Sequence, residues 1–215
     1  MNPPLALYGA ALRRAAAGQG TSLDVLDHTG VALGSVDASI WSGGLVAGDT
    51  SLLARCSGPT LDVGCGAGRL AAALHHAGRA VLGIDVSPEA VRRAQRRGVR
   101  AIRADVFRSM PGEGRWRTVL LADGNIGIGG DPPRLLRRCV ELLCAGGTVL
   151  VEVRPPGEPS WSREVVLCDE ARCSAPFPWA AVSADQVDDL AERSGLRVRR
   201  EWTEAGRWFA ALVPH

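Results

Sequence analysis

From about residue 60 onward, the chain alternates short apolar runs with segments of helical periodicity. The apolar runs are at 61–63, 80–86, 99–107, 117–122 and 147–153. Between them, apolar residues recur at helical spacing before Gly78 and again over 133–144, where the pattern ends at Gly146 and Gly147. Strands that alternate with short helices predict an α/β fold built on a parallel sheet.

After residue 153 this alternation breaks. A proline-rich stretch at 155–159 is followed by a short apolar run at 165–167, which predicts an inserted strand. Ser183 then begins a capping pattern that predicts a helix ending at Gly195. Two further strands at 196–202 and 207–213 predict a closing hairpin.

The first 57 residues have weaker patterning. A helix is predicted over 8–17 and another within 36–53, after a Gly43-Gly44 break. We therefore expect one domain over 1–215, with an N-terminal helical cover at 1–57, a core at 58–215 and an insertion at 154–182. The length of 215 residues and the hydrophobic content of 46% are enough for one good core.

The segment 61–70, Leu-Asp-Val-Gly-Cys-Gly-Ala-Gly-Arg-Leu, is the strongest functional signal. Its alternate glycines accept positive φ and leave backbone N–H groups bare at a helix N-terminus, as a bound nucleoside cofactor requires. The dinucleotide fingerprint needs a third glycine where this chain has Arg69, which weakens an NAD interpretation. A tight turn in which Asp62 only caps backbone amides remains the alternative.

Two later strands also end in an acid. Asp85 follows the second strand, 21 residues beyond Gly64, where a carboxylate can accept hydrogen bonds from ribose hydroxyls. Ser87 and Pro88 then predict the start of a helix. Asp105 ends the third strand in the same way.

The pattern Asp-x-Gly-x-Gly-x-Gly at 62–68 resembles motif I of the class I S-adenosylmethionine-dependent methyltransferases. The resemblance implies a Rossmann-like, seven-stranded, mostly parallel sheet of order 3-2-1-4-5-7-6, with strand 7 antiparallel and helices on both faces. It also implies S-adenosylmethionine as cofactor and S-adenosylhomocysteine as product. The cofactor contacts it implies are Asp62, Gly64, Cys65, Gly66, Gly68, Asp85, Val86, Asp105, Val106 and Asp123.

The methyl acceptor is expected beside the loop 123–131, which follows the fourth strand. Asp123 and Asn125 are candidates for orienting the substrate, with Asp123 as a base, although Asp-Gly and Gly-Asn are also common turn dipeptides. His28 is the histidine to test as a general base. The resemblance makes Tyr8 and Trp41 pocket candidates, although packing roles serve equally well. Asn125 and Trp179 complete the predicted substrate-binding set.

Composition excludes some classes of function. The net charge of +2 does not predict a nucleic-acid surface, and arginines clustered over 92–103 are the usual solvated helix face. The cysteine pairs 139/144 and 168/173 lack the spacing and histidines of a zinc site, so free thiols and no metal are expected. No signal peptide or membrane span is apparent, so we expect a cytoplasmic monomer or homodimer without nucleic-acid or membrane partners.

Taken together, the sequence predicts an S-adenosylmethionine-dependent methyltransferase that acts on a small molecule, in specialised metabolism, by direct in-line displacement. Two alternatives stay open. One is a methyltransferase that modifies RNA or protein, for which the arginine cluster would be functional. The other is a relative that binds an adenosyl cofactor or NAD without methylating.

Overall fold

The computed structural model describes residues 3–19 and 22–215. The α-helices are α1 (Pro4–Ala16), α2 (Ala38–Ser42), α3 (Asp49–Arg55), α4 (Arg69–His76), α5 (Pro88–Arg96), α6 (Pro132–Leu142) and α7 (Val187–Arg193). The strands are β1 (Ser22–Asp27), β2 (Ala32–Asp37), β3 (Thr60–Val63), β4 (Val81–Asp85), β5 (Ala101–Arg103), β6 (Trp116–Leu121), β7 (Leu143–Val153), β8 (Trp161–Cys168), β9 (Phe177–Ala181), β10 (Leu196–Glu204) and β11 (Arg207–Pro214). Short 3-10 helices cover Asn125–Gly130 and Ala184–Gln186.

The larger sheet has seven strands in the order β5-β4-β3-β6-β7-β11-β10. The five strands from β3 to β7 pair in parallel, whereas β11 is antiparallel to both of its neighbours. Numbered along the chain within this sheet, the order is 3-2-1-4-5-7-6, which confirms the predicted fold class. The strand order reverses between β3 and β6, where ligands of open parallel sheets bind.

Side chains of the central strands alternate between two buried layers. Val119 and Leu121 of β6 pack with the apolar face of α6, whereas Leu120 packs on the opposite side with residues of α3 and α4. A strand buried on both faces reads as a continuous apolar run, which is why the sequence pattern located this sheet so clearly.

A second sheet of four strands, in the order β2-β1-β8-β9, was not predicted. The N-terminal region is therefore not only helical, because the β1–β2 hairpin lies between α1 and α2. Asp27 closes this hairpin by accepting hydrogen bonds from the N–H groups of Thr29 and Val31. The insertion contributes β8 and β9 rather than one strand at 165–167. Strand β1 pairs with β8, so the two irregular regions complete one sheet.

The expectation of free thiols is wrong for one cysteine pair. Cys168 and Cys173 form a disulfide, because a tight antiparallel bridge after β8 brings their Cα atoms to 4.0 Å. The other cysteines, Cys56, Cys65, Cys139 and Cys144, are free. Among residues 3–19 and 22–215, no helix has the length and apolar character needed to cross a bilayer.

The disulfide predicts a simple labelling result. Protein denatured without reductant should take up iodoacetamide at four of its six cysteines, and all six should react after reduction. Intact mass spectrometry separates the two states. Labelling of six cysteines before reduction would contradict the pairing of Cys168 with Cys173.

Candidate active site

The carboxyl ends of β3, β4, β5 and β6 form one wall of a cavity of about 580 Å³. The second sheet, α1 and α2 form the opposite wall. Most of the residues predicted as cofactor or substrate contacts line this cavity. They are Tyr8, Trp41, Asp62, Gly64, Cys65, Gly66, Asp85, Val86, Asp105, Val106, Asp123, Asn125 and Trp179.

Two predicted residues lie elsewhere. His28 is exposed in the turn between β1 and β2 and does not line the cavity, so the structure gives it no position for a general base. Gly68 does not line the cavity either. It has φ of 82° at the start of α4, and a Cβ there would lie 2.8 Å from the Cβ of Ala94 in α5. Gly68 therefore serves helix packing.

The loop after β3 is held by Asn125. Its Nδ2 donates hydrogen bonds to the carbonyl oxygens of Val63 and Gly64, at 2.9 and 3.0 Å. Gly64 has φ of 70°, and a Cβ there would lie 2.7 Å from the Asn125 amide nitrogen. Because its amide nitrogen donates to two carbonyl oxygens of the loop, Asn125 positions the loop.

Asp62 is buried at the base of this loop, with an exposure of 2%. Its Oδ2 has no hydrogen-bond partner. Burial, reinforced by the negative charges of Asp123 and Asp85, raises the pKa of Asp62 from 3.8 to about 7. A cation placed beside Asp62 would strongly stabilise its ionised carboxylate.

Asp85 joins the loop to the next helix. Its Oδ2 accepts a hydrogen bond from the Gly66 N–H at 3.0 Å, and its Oδ1 accepts one from the Ser87 N–H at 2.7 Å. Burial nevertheless raises its pKa above the usual range. Ser87 also caps α5 through the Ala90 N–H, as the sequence predicted.

Beyond Asp85, the cavity has an apolar edge. Val86 is 44% exposed, which is unusual for a large apolar side chain, and it lines the cavity with the buried Val106. Asp105 is exposed, and its Oδ1 accepts a hydrogen bond of 3.0 Å from the Phe107 N–H. Such an edge suits a flat ring that stacks on apolar side chains and presents a polar rim.

Tyr8 and Trp41 cover the glycine loop from the N-terminal side. Their rings meet edge to face, with centroids 5.4 Å apart. A Cβ on Gly66 would lie 3.1 Å from the Tyr8 hydroxyl oxygen, so this hydroxyl lies directly over the loop. Burial and the nearby Asp85 raise the Tyr8 pKa well above 10, which keeps the phenol protonated.

Two of the glycines in the loop 124–130, Gly127 and Gly130, face β9. A Cβ on Gly127 would overlap the Ala180 carbonyl oxygen, and a Cβ on Gly130 would lie 2.9 Å from the Pro178 side chain. The sequence predicted that these glycines bring the backbone close to another group, and that group is the inserted sheet. The close approach fixes Trp179 over the cavity.

A network of buried and half-buried charges surrounds Asp123 and was not predicted. Arg69 donates to both oxygens of Asp123, at 2.7 and 2.6 Å, and also pairs with Asp49. Arg207 binds Glu152 through two hydrogen bonds of 2.8 Å and also contacts Asp49 and Asp123. The Asp123 N–H in turn donates to Glu152 at 2.7 Å.

This network bears on the role expected for Asp123. Its carboxylate accepts hydrogen bonds from two guanidinium groups, so it holds Arg69 at the cavity wall. The only sequence signal was Arg69 itself, which departed from the dinucleotide fingerprint. Asp49 and Arg207 lie in segments whose neighbours in space depend on the full topology. No cluster of three metal-ligating side chains occurs in the described ranges.

Comparison with known proteins agrees with this geometry. Residues 60–147 match the family model of the methyltransferase domain. The matched segment covers less than half of the chain. It contains the glycine loop, Asp85, Asp105 and the loop after β6, whereas the second sheet lies outside it. No curated protein sequence matches the chain.

Solved structures share the fold. A methyltransferase from Bacteroides fragilis, solved with S-adenosyl-L-homocysteine, is 21% identical with a TM-score of 0.80, covering 100% of this chain and 97% of its own. The methyltransferase CcbJ from Streptomyces caelestis is 18% identical with a TM-score of 0.59, over 77% and 88% of the two chains. The sugar N-methyltransferase KedS8 from Streptoalloteichus sp. is 18% identical with a TM-score of 0.55, over 78% and 85%.

Removing a cation from the network should destabilise the fold. Arg207→Ala leaves Asp49, Asp123 and Glu152 with only Arg69 to neutralise them, and we expect the free energy of unfolding to fall by about 3 to 5 kcal/mol. Denaturant titration measures this loss. Arg193→Ala, which breaks the exposed pair with Asp189, is the control and should cost about 1 kcal/mol or less. Equal losses in the two variants would contradict the network's importance.

The unpartnered Asp62 predicts a stability difference that depends on pH. Folding raises the pKa of Asp62, so protonation of this carboxyl stabilises the folded state. This stabilisation is fully present below about pH 4 and is lost as the pH rises through about 7. Asp62→Asn stays neutral throughout. The variant should therefore melt at a higher temperature than the ligand-free wild type at pH 8, with the gap narrowing toward pH 5. A gap that is constant between these pH values would overturn the assignment.

Proposed function

We propose that this protein is an S-adenosylmethionine-dependent methyltransferase that transfers a methyl group to a small molecule. One observation carries the proposal. Asp62 Oδ2 and Arg69 Nε are both buried without hydrogen-bond partners, and both residues line the cavity. An orphaned acceptor and an orphaned donor together complement an amino-acid group, which carries an ammonium and a carboxylate.

The rest of the wall fits the nucleoside part of the same cofactor. Asp85 has lone pairs left to accept ribose hydroxyls, since each of its oxygens accepts one backbone N–H. Val86 and Val106 supply apolar surface for adenine, and Asp105 lies at that edge to accept from an amino group. The glycine loop keeps side chains out of the space between these two ends.

These residues would hold S-adenosylmethionine, which would supply an electrophilic methyl carbon on a sulfonium. Transfer would form a bond from the acceptor's lone pair to this carbon, leave the electrons of the broken carbon–sulfur bond on sulfur, and release a proton from the acceptor. The chain's part is to hold the two reactants in line, and such positioning can contribute about 7 to 11 kcal/mol. Tyr8 remains a phenol and Asp123 is held by two arginines, so neither serves as a base. The acceptor therefore reacts through a lone pair that it already offers, or loses its proton to solvent.

A small acceptor is favoured over RNA or protein. The second sheet covers one side of the cavity. Several arginines of the cluster at 92–103 already make contacts within the protein. Arg93 pairs with Glu89, Arg97 contacts the carbonyl oxygens of Ser42 and Gly43, and Arg103 donates to the Val86 carbonyl. A sugar N-methyltransferase among the similar structures supports an acceptor of this size, and a role in specialised metabolism is part of the proposal. A cytoplasmic location and a monomeric or dimeric state stay predictions.

The two ends of the cofactor site can be tested separately with two ligands. S-adenosylhomocysteine contains the amino-acid group, whereas 5′-methylthioadenosine contains the nucleoside without it. By calorimetry, the wild type should bind S-adenosylhomocysteine at least about 100-fold more tightly, since two charge-assisted contacts contribute about 1.5 to 3 kcal/mol each. Asp62→Asn should reduce this ratio at least about tenfold, while Asp85→Ala should weaken both ligands to a similar extent.

Asp188→Ala, an exposed acid on α7, is the control and should bind both ligands like the wild type. Failure of the wild type to bind S-adenosylhomocysteine would overturn the proposed function. An NAD-binding relative would instead bind NAD, and steeply salt-dependent binding of RNA would favour the nucleic-acid alternative.

A further inference from the structure

The wall of the cavity opposite the glycine loop is entirely apolar where the second sheet forms it. We call this part the apolar chamber, and it is lined by Val25, Val36, Val165, Leu167, Phe177 and Trp179. None of these side chains can be charged. The carboxylates of the cavity all lie on the other wall, at the ends of β3 to β6.

Strand register explains why these residues face inward together. Val25 of β1 lies opposite Leu167 of β8, and Val165 lies opposite Phe177 of β9. Because side chains alternate along a strand, Arg163 lies on the same face of β8 as Val165 and Leu167. Its guanidinium pairs with Asp27 at 3.3 Å and does not line the cavity.

The cavity offers little to an anionic ligand. Among the described residues that line the cavity, Arg69 alone has a positive charge; Asp49 and Asp123 pair with its terminal nitrogens, and the proposed function assigns its Nε to the cofactor. Its side chain is 3% exposed. An acceptor bearing a phosphate, sulfate or carboxylate would lose its hydration in the chamber without gaining a cation, and it would face the carboxylates opposite. Apolar contact is the interaction that this wall supplies.

We propose that the apolar chamber binds the methyl acceptor, and that this acceptor is a neutral, largely apolar small molecule without anionic groups. The inference rests on the proposed function, since it assigns the other half of the cavity to the methyl donor. It assigns acceptor selection to β1, β2, β8 and β9, which lie outside the segment that matches the methyltransferase-domain family.

Two fluorescent probes that share one skeleton test the chamber. N-phenyl-1-naphthylamine is neutral, and 8-anilinonaphthalene-1-sulfonate is the same skeleton with a sulfonate. In protein saturated with S-adenosylhomocysteine, the neutral probe should bind at one site and at least about tenfold more tightly than the sulfonate. Leu167→Arg should weaken the neutral probe and reverse this preference.

The matched control is Val166→Arg, which places the same charge on the same strand, one residue away and on the opposite face. It should keep the wild-type preference. Affinity for S-adenosylhomocysteine should be unchanged in both variants, which shows that they are folded and tests the proposed function independently. If the wild type does not bind S-adenosylhomocysteine, the proposed function is overturned, whatever the probes show.

Four results would overturn the chamber assignment while S-adenosylhomocysteine still binds. The neutral probe could fail to bind, it could be displaced completely by S-adenosylhomocysteine, or the sulfonate could bind the wild type as tightly. Retention of the wild-type preference in Leu167→Arg would overturn it as well.

Discussion

Burial of carboxylates at one edge of a parallel sheet is the constraint on which this structure depends. The strand order brings Asp62, Asp85 and Asp123 to the same edge, where little water reaches them, and burial raises the pKa of each. The three carboxylates have different partners. Asp85 receives backbone N–H groups and Asp123 receives two arginines, whereas Asp62 has an oxygen without a partner.

The network around Asp123 also ties the site to the rest of the fold. Asp49 comes from α3, Arg69 from α4, Glu152 from β7 and Arg207 from β11, so one group of charges connects both sides of the strand-order reversal. Breaking a buried pair of this kind leaves a charge without compensation, which costs far more than losing a surface pair. The same group holds the Arg69 guanidinium at the cavity wall, through Asp49 and Asp123.

The sequence predicted the large sheet well, because its strands are continuous apolar runs and its turns carry capping residues and glycines. Local signals also located Asp62, Asp85 and the loop after β6. The second sheet was missed because most residues of its strands are at least partly exposed, and because β1 acquires its partner β8 only through folding. For the same reason, pairwise contacts between distant residues, such as Asp49 with Arg207 or Asn125 with the glycine loop, carried no signal that spacing could reveal.

The two halves of the cavity therefore come from different parts of the chain: the sheet edge carries the charge, and the flanking segments carry the apolar wall. We expect a cation of the bound cofactor to pair with the unpartnered oxygen of Asp62. Calorimetric titration of S-adenosylmethionine at pH 7, in two buffers of different ionisation enthalpy, tests it directly, because a cation beside Asp62 lowers its pKa and expels its proton. We predict binding at one site with proton release that is reduced in Asp62→Asn; equal proton release in both proteins, or no binding, would contradict the account.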